Sequence, residues 1–592
     1  MKRIFNVVAG ACALVMSLSM AGCSDFLDTS NLYQKNTSNF YKTKADFDEA
    51  VTGIYQCLYS PSVNCYEHIQ ACVMGDLMLG GGGTDDLDVK LADAFETPKE
   101  NIYQPLWQQT YKGVARCNAL IENIANADMS KDFASPDDAD NYKNEKLAEA
   151  YFMRGFLMFR AARFLGGLPI IPSSTAPKDV PRASLEETYT SIAADMVKAV
   201  DLFNEIDITT ITPAQTGHAN KWVAKAMLAR IYLYYTGYMT NIEKSATDVL
   251  PCGEGKSVDK ATVAAHLQDV ISKSGYELAS DFRNLWAYSS VNDAAKKFDP
   301  AYDPANPPYK YAADNDLHWV GQHGPAANAD FGWTGNKEAM FSTSYGFGQW
   351  RFGVEHTNWS CLFFGIRGCR GIPFSDGWGW GIVHSGFYND WDDADIRKQG
   401  SVLDMNNPYG DENTNGYVVG KNSSAQETKL FNKKYIALGV NGPDKNQSPF
   451  YYFYAMPQAH MQLNHGQDYV MLRFADVLLM HSELTGDAGG LNAVRARAGL
   501  DPVDYSLDAI KQERKYELAF EAIRWFDLLR WGDVGNDNSN NYYGASKKIK
   551  VFNNTIESDY SVEFRPETKG LVKFPENEIL LSGGVYEQNP GW

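Results

Sequence analysis

EKLAEAYFMRGFLMFRAARFL, residues 145–165, is the stretch that decides the fold. Its apolar residues fall on almost every side of a 3.6-residue spiral, so the helix it predicts needs cover on two sides. Gly166-Gly167 and then Pro169 stop it, because proline has no N–H to continue a helix. A second such stretch, ANKWVAKAMLARIYLYYT at 219–236, is amphipathic. Its Ala224, Ala226 and Ala229 let neighbouring helices approach closely.

Working outward, the same period recurs. Residues 45–59 place Phe47, Val51, Ile54, Tyr55 and Leu58 on one stripe, and 103–126 carry apolar residues from Leu106 to Ile124 at 3–4 spacing. Helix 184–204 opens on Ser184 and Glu187, the spacing of a capping box. Further helices are predicted at 259–274, 469–484, 487–498 and 506–531. Pairs of helices that mix small and aromatic residues predict a mainly α, tetratricopeptide-like scaffold. Within 510–532, Arg514–Glu517, Glu521–Arg524 and Asp527–Arg530 are three apart, the spacing of ion pairs on one helix. Ile510, Leu518, Trp525 and Leu528 of that stretch should face the core.

The middle of the chain changes character. From Gly321 to Gly386, 14 of 66 residues are Gly, and 8 of the 13 Trp lie between Trp286 and Trp391, so loops should dominate. Short strands are expected near 338–345 and 450–456, and an irregular tail over 560–592. The organisation expected is a helical part at 45–286, a Trp/Gly-rich loop region at 287–455 and helical motifs at 456–592 that complete the same scaffold.

The 592 residues are 44% hydrophobic and 21% charged, a globular mix. The net charge of −19 disfavours nucleic acid, which needs cations to displace its counterions. Aromatics at 13% suit ligands with apolar ring faces.

Residues 1–22 read as an export signal: Lys2 and Arg3, an apolar run from Ile4 to Met20, then Ala21 and Gly22. The Met-Ala-Gly-Cys run resembles the lipobox of bacterial lipoproteins, which implies lipidation of Cys23 and a stable membrane anchor. Residues 23–44 form the lipidated N-terminus and a polar tether. Without Cys12 and Cys23, seven of the nine Cys remain, a poor disulfide framework. Cys361 and Cys369 can pair across a Gly-containing loop or stay as buried thiols.

Catalytic signatures are missing. There is no HExxH, no GxSxG and no complete P-loop, and no CxxC for zinc. His318 and His323 are the one close histidine pair outside helices, and neither a metal nor a cofactor is expected. The acidic runs Thr84–Asp88 and Asp390–Asp395 read as solvated loops rather than acid/base pairs.

Several segments, in order, resemble the SusD/RagB family of Bacteroidota outer-membrane nutrient-binding lipoproteins. They are QPLWQQTYKGVARCNALIENI (104–124), LAEAYFMRGFLMFRAARFLGGLPII (147–171), ANKWVAKAMLARIYLYYTG (219–237), MLRFADVLLMHSEL (471–484), IKQERKYELAFEAIRWFDLLRWG (510–532) and the ending FPENEILLSGGVYEQNPGW. The resemblance implies a SusD-like fold of about four helix pairs beneath a variable loop-rich portion. It implies a non-catalytic, surface-exposed protein that captures oligo- or polysaccharide for a SusC-like TonB-dependent transporter. RagB-like peptide capture, a pure interaction scaffold and a glycoside hydrolase are the alternatives.

A sugar site needs an exposed aromatic plate with carboxylates, amides or Arg at its rim. The resemblance directs attention to two regions, about 76–102 and 287–391. The first holds Asp76, Gly80–Gly83, Asp85 and Asp86, and is expected to be pliable. In the second, an insertion of about fifty residues carries Tyr288, Trp319, His323, Asp330 and Trp333, with Trp319 and Trp333 as the first choice for the plate. Trp350, Trp359, Trp378 and Trp380 come next. In the GWGWG run at 377–381, alternation should send one indole inward and one outward.

Overall fold

The computed structural model describes residues 40–592 except 60, 97–101, 178–179, 213–214, 346–356, 370, 407–416, 421–422, 444, 457–463 and 536–539, and describes no side chains at 61–66. Cys23, the signal segment and Trp350 lie outside the described residues.

The first half is helical: α1 (Lys44–Tyr55), α2 (Pro61–Met74), α3 (Leu87–Asp93), α4 (Gln104–Ile124), α5 (Pro136–Leu165), α6 (Leu185–Leu202), α7 (Lys221–Asn241) and α8 (Lys260–Lys273). From α4 to α8 each helix packs on the next. The helix expected from 145–165 is the last two-thirds of α5. It is buried along almost its whole length from Ala148 to Leu165, covered by α4 and α6. Its C-terminal turn ends on Gly166 at φ 77°, a conformation that favours glycine. The capping box of α6 is formed, with Ser184 and Glu187 exchanging bonds to each other's backbone N–H.

Four C-terminal helices complete the scaffold. With α9 (Trp359–Phe364) lying in the middle region, they are α10 (Phe474–Thr485), α11 (Gly489–Arg497), α12 (Leu507–Glu517) and α13 (Arg524–Trp531). Here α13 packs on α7 and α10 on α8. Gly237 of α7 makes the first contact possible: a Cβ there would sit 2.4 Å from the Arg530 carbonyl oxygen. Buried side chains from Phe47 to Phe574 form one contiguous hydrophobic core. The tetratricopeptide-like, mainly α architecture is as the sequence predicts.

Three local expectations need correction. Residues 510–532 are two helices rather than one, because Phe520 and Ala522 turn left-handed at φ 66° and 59°. The break redirects the charges. Arg514 bonds Asp527 and Asp476, Arg524 bonds Asp76, and of the three predicted pairs Asp527–Arg530 forms, at 2.8 Å. The predicted core positions Ile510, Leu518, Trp525 and Leu528 are all buried. Second, 469–473 is a strand that precedes α10. Third, 449–453 is a short helix; the strand expected near 338–345 does form.

The strands are β1 (Met78–Gly81), β2 (Ala339–Thr343), β3 (Trp380–Val383), β4 (Val402–Asp404), β5 (Leu430–Asn432) and β6 (Tyr469–Arg473). One antiparallel sheet has the order β1-β3-β5-β4, and β6 pairs with β2. A buried ionic network ties these strands to the C-terminal helices. Glu517 accepts from Arg397 at 2.9 Å and also from Arg473 and Arg497, while Glu521 accepts from Lys434 at 2.7 Å and Arg473 at 2.7 Å. Burial alone would raise the Glu517 carboxyl, but the guanidinium groups of Arg497, Arg473 and Arg397 hold it well below the usual range. Asp395, expected in a solvated loop, is instead buried against Arg397 at 2.8 Å. Cys361 and Cys369 are both buried and form no disulfide with one another.

Candidate ligand-binding site

β1 runs into the Gly80–Gly83 segment, ending at Gly81, and the backbone explains the glycines. At Gly81, φ is 70° and a Cβ would lie 2.5 Å from the Gly379 carbonyl oxygen. Each turn of this segment is held. Gly81 N–H donates to Gln426 Oε1 at 2.8 Å, Gly82 N–H to the Gly379 carbonyl at 2.7 Å and Gly83 N–H to Asp86 Oδ2 at 2.6 Å. Lys90 Nζ donates to the Gly83 carbonyl at 2.7 Å. The segment expected to be pliable is therefore strapped into the sheet, with Gly81–Gly83 buried.

Asp93 anchors the strap from beneath. It is fully buried and accepts from Tyr560 Oη at 2.7 Å, Gln426 Nε2 at 3.2 Å and Gly80 N–H at 3.3 Å. Its Oδ1 is buried with no hydrogen-bond partner among the described residues. Burial pushes its carboxyl up to about 7, against the pull of those three donors.

Gly379, the strap's acceptor, belongs to the GWGWG run. β1 and β3 thus bring the two regions suggested by the sequence side by side, with Gly81 opposite Trp380. The Trp378 N–H donates to the Leu362 carbonyl at 2.9 Å, which fixes the run on the end of α9. Alternation then sorts the two indoles: Trp380 is 5% exposed, whereas Trp378 is half-buried. Phe363 stacks on Trp380 at 4.7 Å and 19°, and meets Trp378 at 4.7 Å and 45°. Trp359, itself buried, completes the cluster 6.2 Å from Trp378.

Polar groups rim this cluster. Arg367 Nη1 lies 3.4 Å from both Asp86 Oδ2 and the Trp378 carbonyl oxygen. Asp85 and Thr84 are exposed beside them. The arrangement is a rigidly backed indole next to a carboxylate–guanidinium pair. Such a surface offers an apolar face to a ring and charged hydrogen-bonding groups to its edge. Phe363 and Arg367 were not singled out from sequence. The signal was present in CLFFGIRG (361–368), directly between Trp359 and the GWGWG run.

The remaining candidates are placed elsewhere. Trp319 and Trp333 meet edge to face at 4.8 Å, are 2% and 9% exposed, and pack on Phe450 and Phe453. The exposed plate expected of them is absent, because the insertion folds its aromatics into the core instead of presenting them. Tyr288 is buried too, with Lys433 Nζ 4.8 Å above its ring. His323 is buried, and its backbone N–H donates to Asp468 Oδ2 at 2.7 Å; burial pushes its imidazole down to about 4. Asp330 is exposed, next to Phe331, whose ring packs on Trp333 at 4.8 Å. Asp76 is 4% exposed and held by Arg524 Nε at 2.8 Å and Nη2 at 2.9 Å, which makes it a structural anchor.

The chain matches two family models: one described as the SusD family, over residues 372–592, and one described as starch-binding associating with outer membrane, over residues 25–233. SusD-like protein P2 of Formosa agariphila is 23% identical over 98% of both chains. Among solved structures, surface glycan-binding protein A from Bacteroides fluxus superposes with a TM-score of 0.66 at 20% identity, covering 93% of this chain and 100% of that one. The corresponding protein from Bacteroides thetaiotaomicron, solved in complex with laminarihexaose, gives 0.63 at 19% identity, with coverage of 93% and 100%.

Proposed function

The chain belongs to the SusD family, and from that premise we propose that it captures oligo- or polysaccharide at the Trp378 platform without cleaving it. The observation that carries this reading is the half-buried Trp378 indole, backed by Phe363 and Trp359 and rimmed by Arg367, Asp86 and Asp85. A sugar ring has an apolar C–H face and a hydroxyl edge, and the platform complements both. Burial of ~100 Å² of apolar surface against the indole contributes about 2.5 kcal/mol before ordering costs. With rim hydrogen bonds this gives affinities of roughly micromolar to millimolar.

In the same proposal the protein is anchored by lipid at Cys23 in the outer membrane, exposed at the surface, and hands its ligand to a SusC-like TonB-dependent transporter. Family membership and the residues before Cys23 support this. A glycan array, followed by calorimetric titration of the best ligand, tests the binding. Absence of new reducing ends after incubation tests the lack of cleavage. A Cys23→Ala variant that still partitions with detergent would contradict the anchor. Extraction in mild detergent should recover a complex with a large barrel protein.

Burial of Trp286, Trp319, Trp333, Trp359, Trp380 and Trp391 favours a second reading, an interaction scaffold without its own ligand. No glycan binding by the folded wild type, together with recovery of the barrel complex, would select that reading.

A further inference from the structure

The helical scaffold carries a concave site that shares no residue with the Trp378 platform. It is a cavity of about 580 Å³ between α1, α5 and the segment leading into α7. That volume lies within the range of small-molecule sites. Its wall is polar and ordered. Tyr55 stacks on His218 with ring centroids 4.2 Å apart, and the Tyr142 hydroxyl donates to Asp48 Oδ1 at 2.9 Å.

The charges of the wall are nearly all matched among themselves. Lys44 Nζ lies 2.8 Å from Asp48 Oδ2. Lys146 Nζ lies 2.9 Å from Glu149 Oε1, and His218 Nδ1 lies 2.7 Å from Glu149 Oε2. Burial opposes ionisation of Glu149, yet His218 and Lys146 hold its carboxyl down at about 2. Glu145 differs. It lines the same cavity, is half-buried, and has no Lys, Arg or His within 4.0 Å among the described residues. Burial and the neighbouring Glu149 charge raise its carboxyl to about 7, against the pull of Lys146, a hydrogen bond from the Asn204 backbone N–H, and His218. Two of the wall's three bases, Lys146 and His218, share Glu149, which leaves Glu145 as the carboxylate where an added cation would gain most.

We propose that this cavity binds a small hydroxylated ammonium compound, with its cation against Glu145 and its hydroxyls on the polar wall around Tyr142 and Gln215. The ammonium can belong to an amino sugar or to the amino end of a short peptide. A charge-assisted bond to a partly buried carboxylate distinguishes such ligands from their neutral twins.

Calorimetric titration of the full protein with glucosamine, glucose and serinamide tests this. Glucosamine should bind about tenfold or more tightly than glucose, which differs by carrying a hydroxyl in place of the ammonium. Glu145→Gln should erase that preference, and Trp378→Ala should leave it intact. Tight serinamide binding also supports ammonium capture, and the tighter of the two amines names the source. Equal binding of glucose and glucosamine by the wild type, binding of none of the three, or an undiminished preference in a folded Glu145→Gln protein would overturn the proposal. The wild-type comparison holds even if the variant fails to fold.

Discussion

Gly81 and Trp380 stand opposite one another in the antiparallel pair of β1 and β3. They come from segments far apart in the chain, and their pairing builds the platform. The glycine admits the Gly379 carbonyl, and the tryptophan meets the half-buried indole of Trp378 edge to face at 5.4 Å. Stability and binding therefore meet at this pair.

Gly81→Ala should damage both. The added Cβ would have 2.5 Å to the Gly379 oxygen and 2.7 Å to Ile382 Cγ1, at a φ that L-residues avoid. A cost of about 1–3 kcal/mol is expected from backbone strain, with the strap displaced. Thermal unfolding and glycan titration on the same variant check it; unchanged affinity would show that the strap does not position the site.

Trp319→Ala should act on stability alone. The side chain is 2% exposed and contacts Trp333 and Phe450, so its removal leaves a cavity costing about 3–5 kcal/mol. Glycan affinity, measured below the lowered melting temperature, should stay within twofold of wild type. A stable variant with weakened binding would restore the insertion as the ligand plate.

Much of the fold was legible because helices advertise themselves locally. The period of 145–165, the capping box at Ser184 and the stop at Gly166 each need a few residues of context. What was not legible depended on distant partners. The break at Phe520 and Ala522 serves Glu517 and Glu521, whose cations Arg397, Lys434 and Arg473 come from other segments. The site divided in the same way. Alternation in GWGWG foretold one inward and one outward indole, but the pairing of β1 with β3 is non-local. A composition rich in Trp does not say which indoles the core takes, so Trp319 and Trp333 were misplaced.

Glu517→Gln should destabilise strongly, because it leaves buried guanidinium groups short of charge. A loss of about 3–5 kcal/mol is expected from breaking such a pair. Glu517 and Glu521 are both held below the usual range by those cations. Their stabilisation is present above the unfolded pKa of about 4.5 and is lost as pH falls through the depressed folded values. Acid unfolding of the wild type should steepen below about pH 4.5, and less so in the variant.

Asp93 should give the opposite slope. Its folded carboxyl titrates near 7, above the unfolded value of 3.8. Its contribution is fully present below the unfolded value and falls away as pH rises through 7, because the charged form is then buried. Asp468 and Glu145, also raised to about 7, add to the trend. Asp93→Asn keeps an acceptor for the strap and removes the buried charge. Its melting temperature should fall less between pH 5 and pH 8 than that of the wild type; parallel curves would contradict this account.

The most direct test of the central claim is calorimetric titration of the best array glycan into wild type and Trp378→Ala, with melting curves for both. The indole is half-buried at the edge of its cluster, so the melting temperature should change by a few degrees. Loss of a stack worth about 2.5 kcal/mol should weaken binding by well over tenfold. A folded Trp378→Ala protein that binds the glycan as tightly as the wild type would show that the platform is not the binding site.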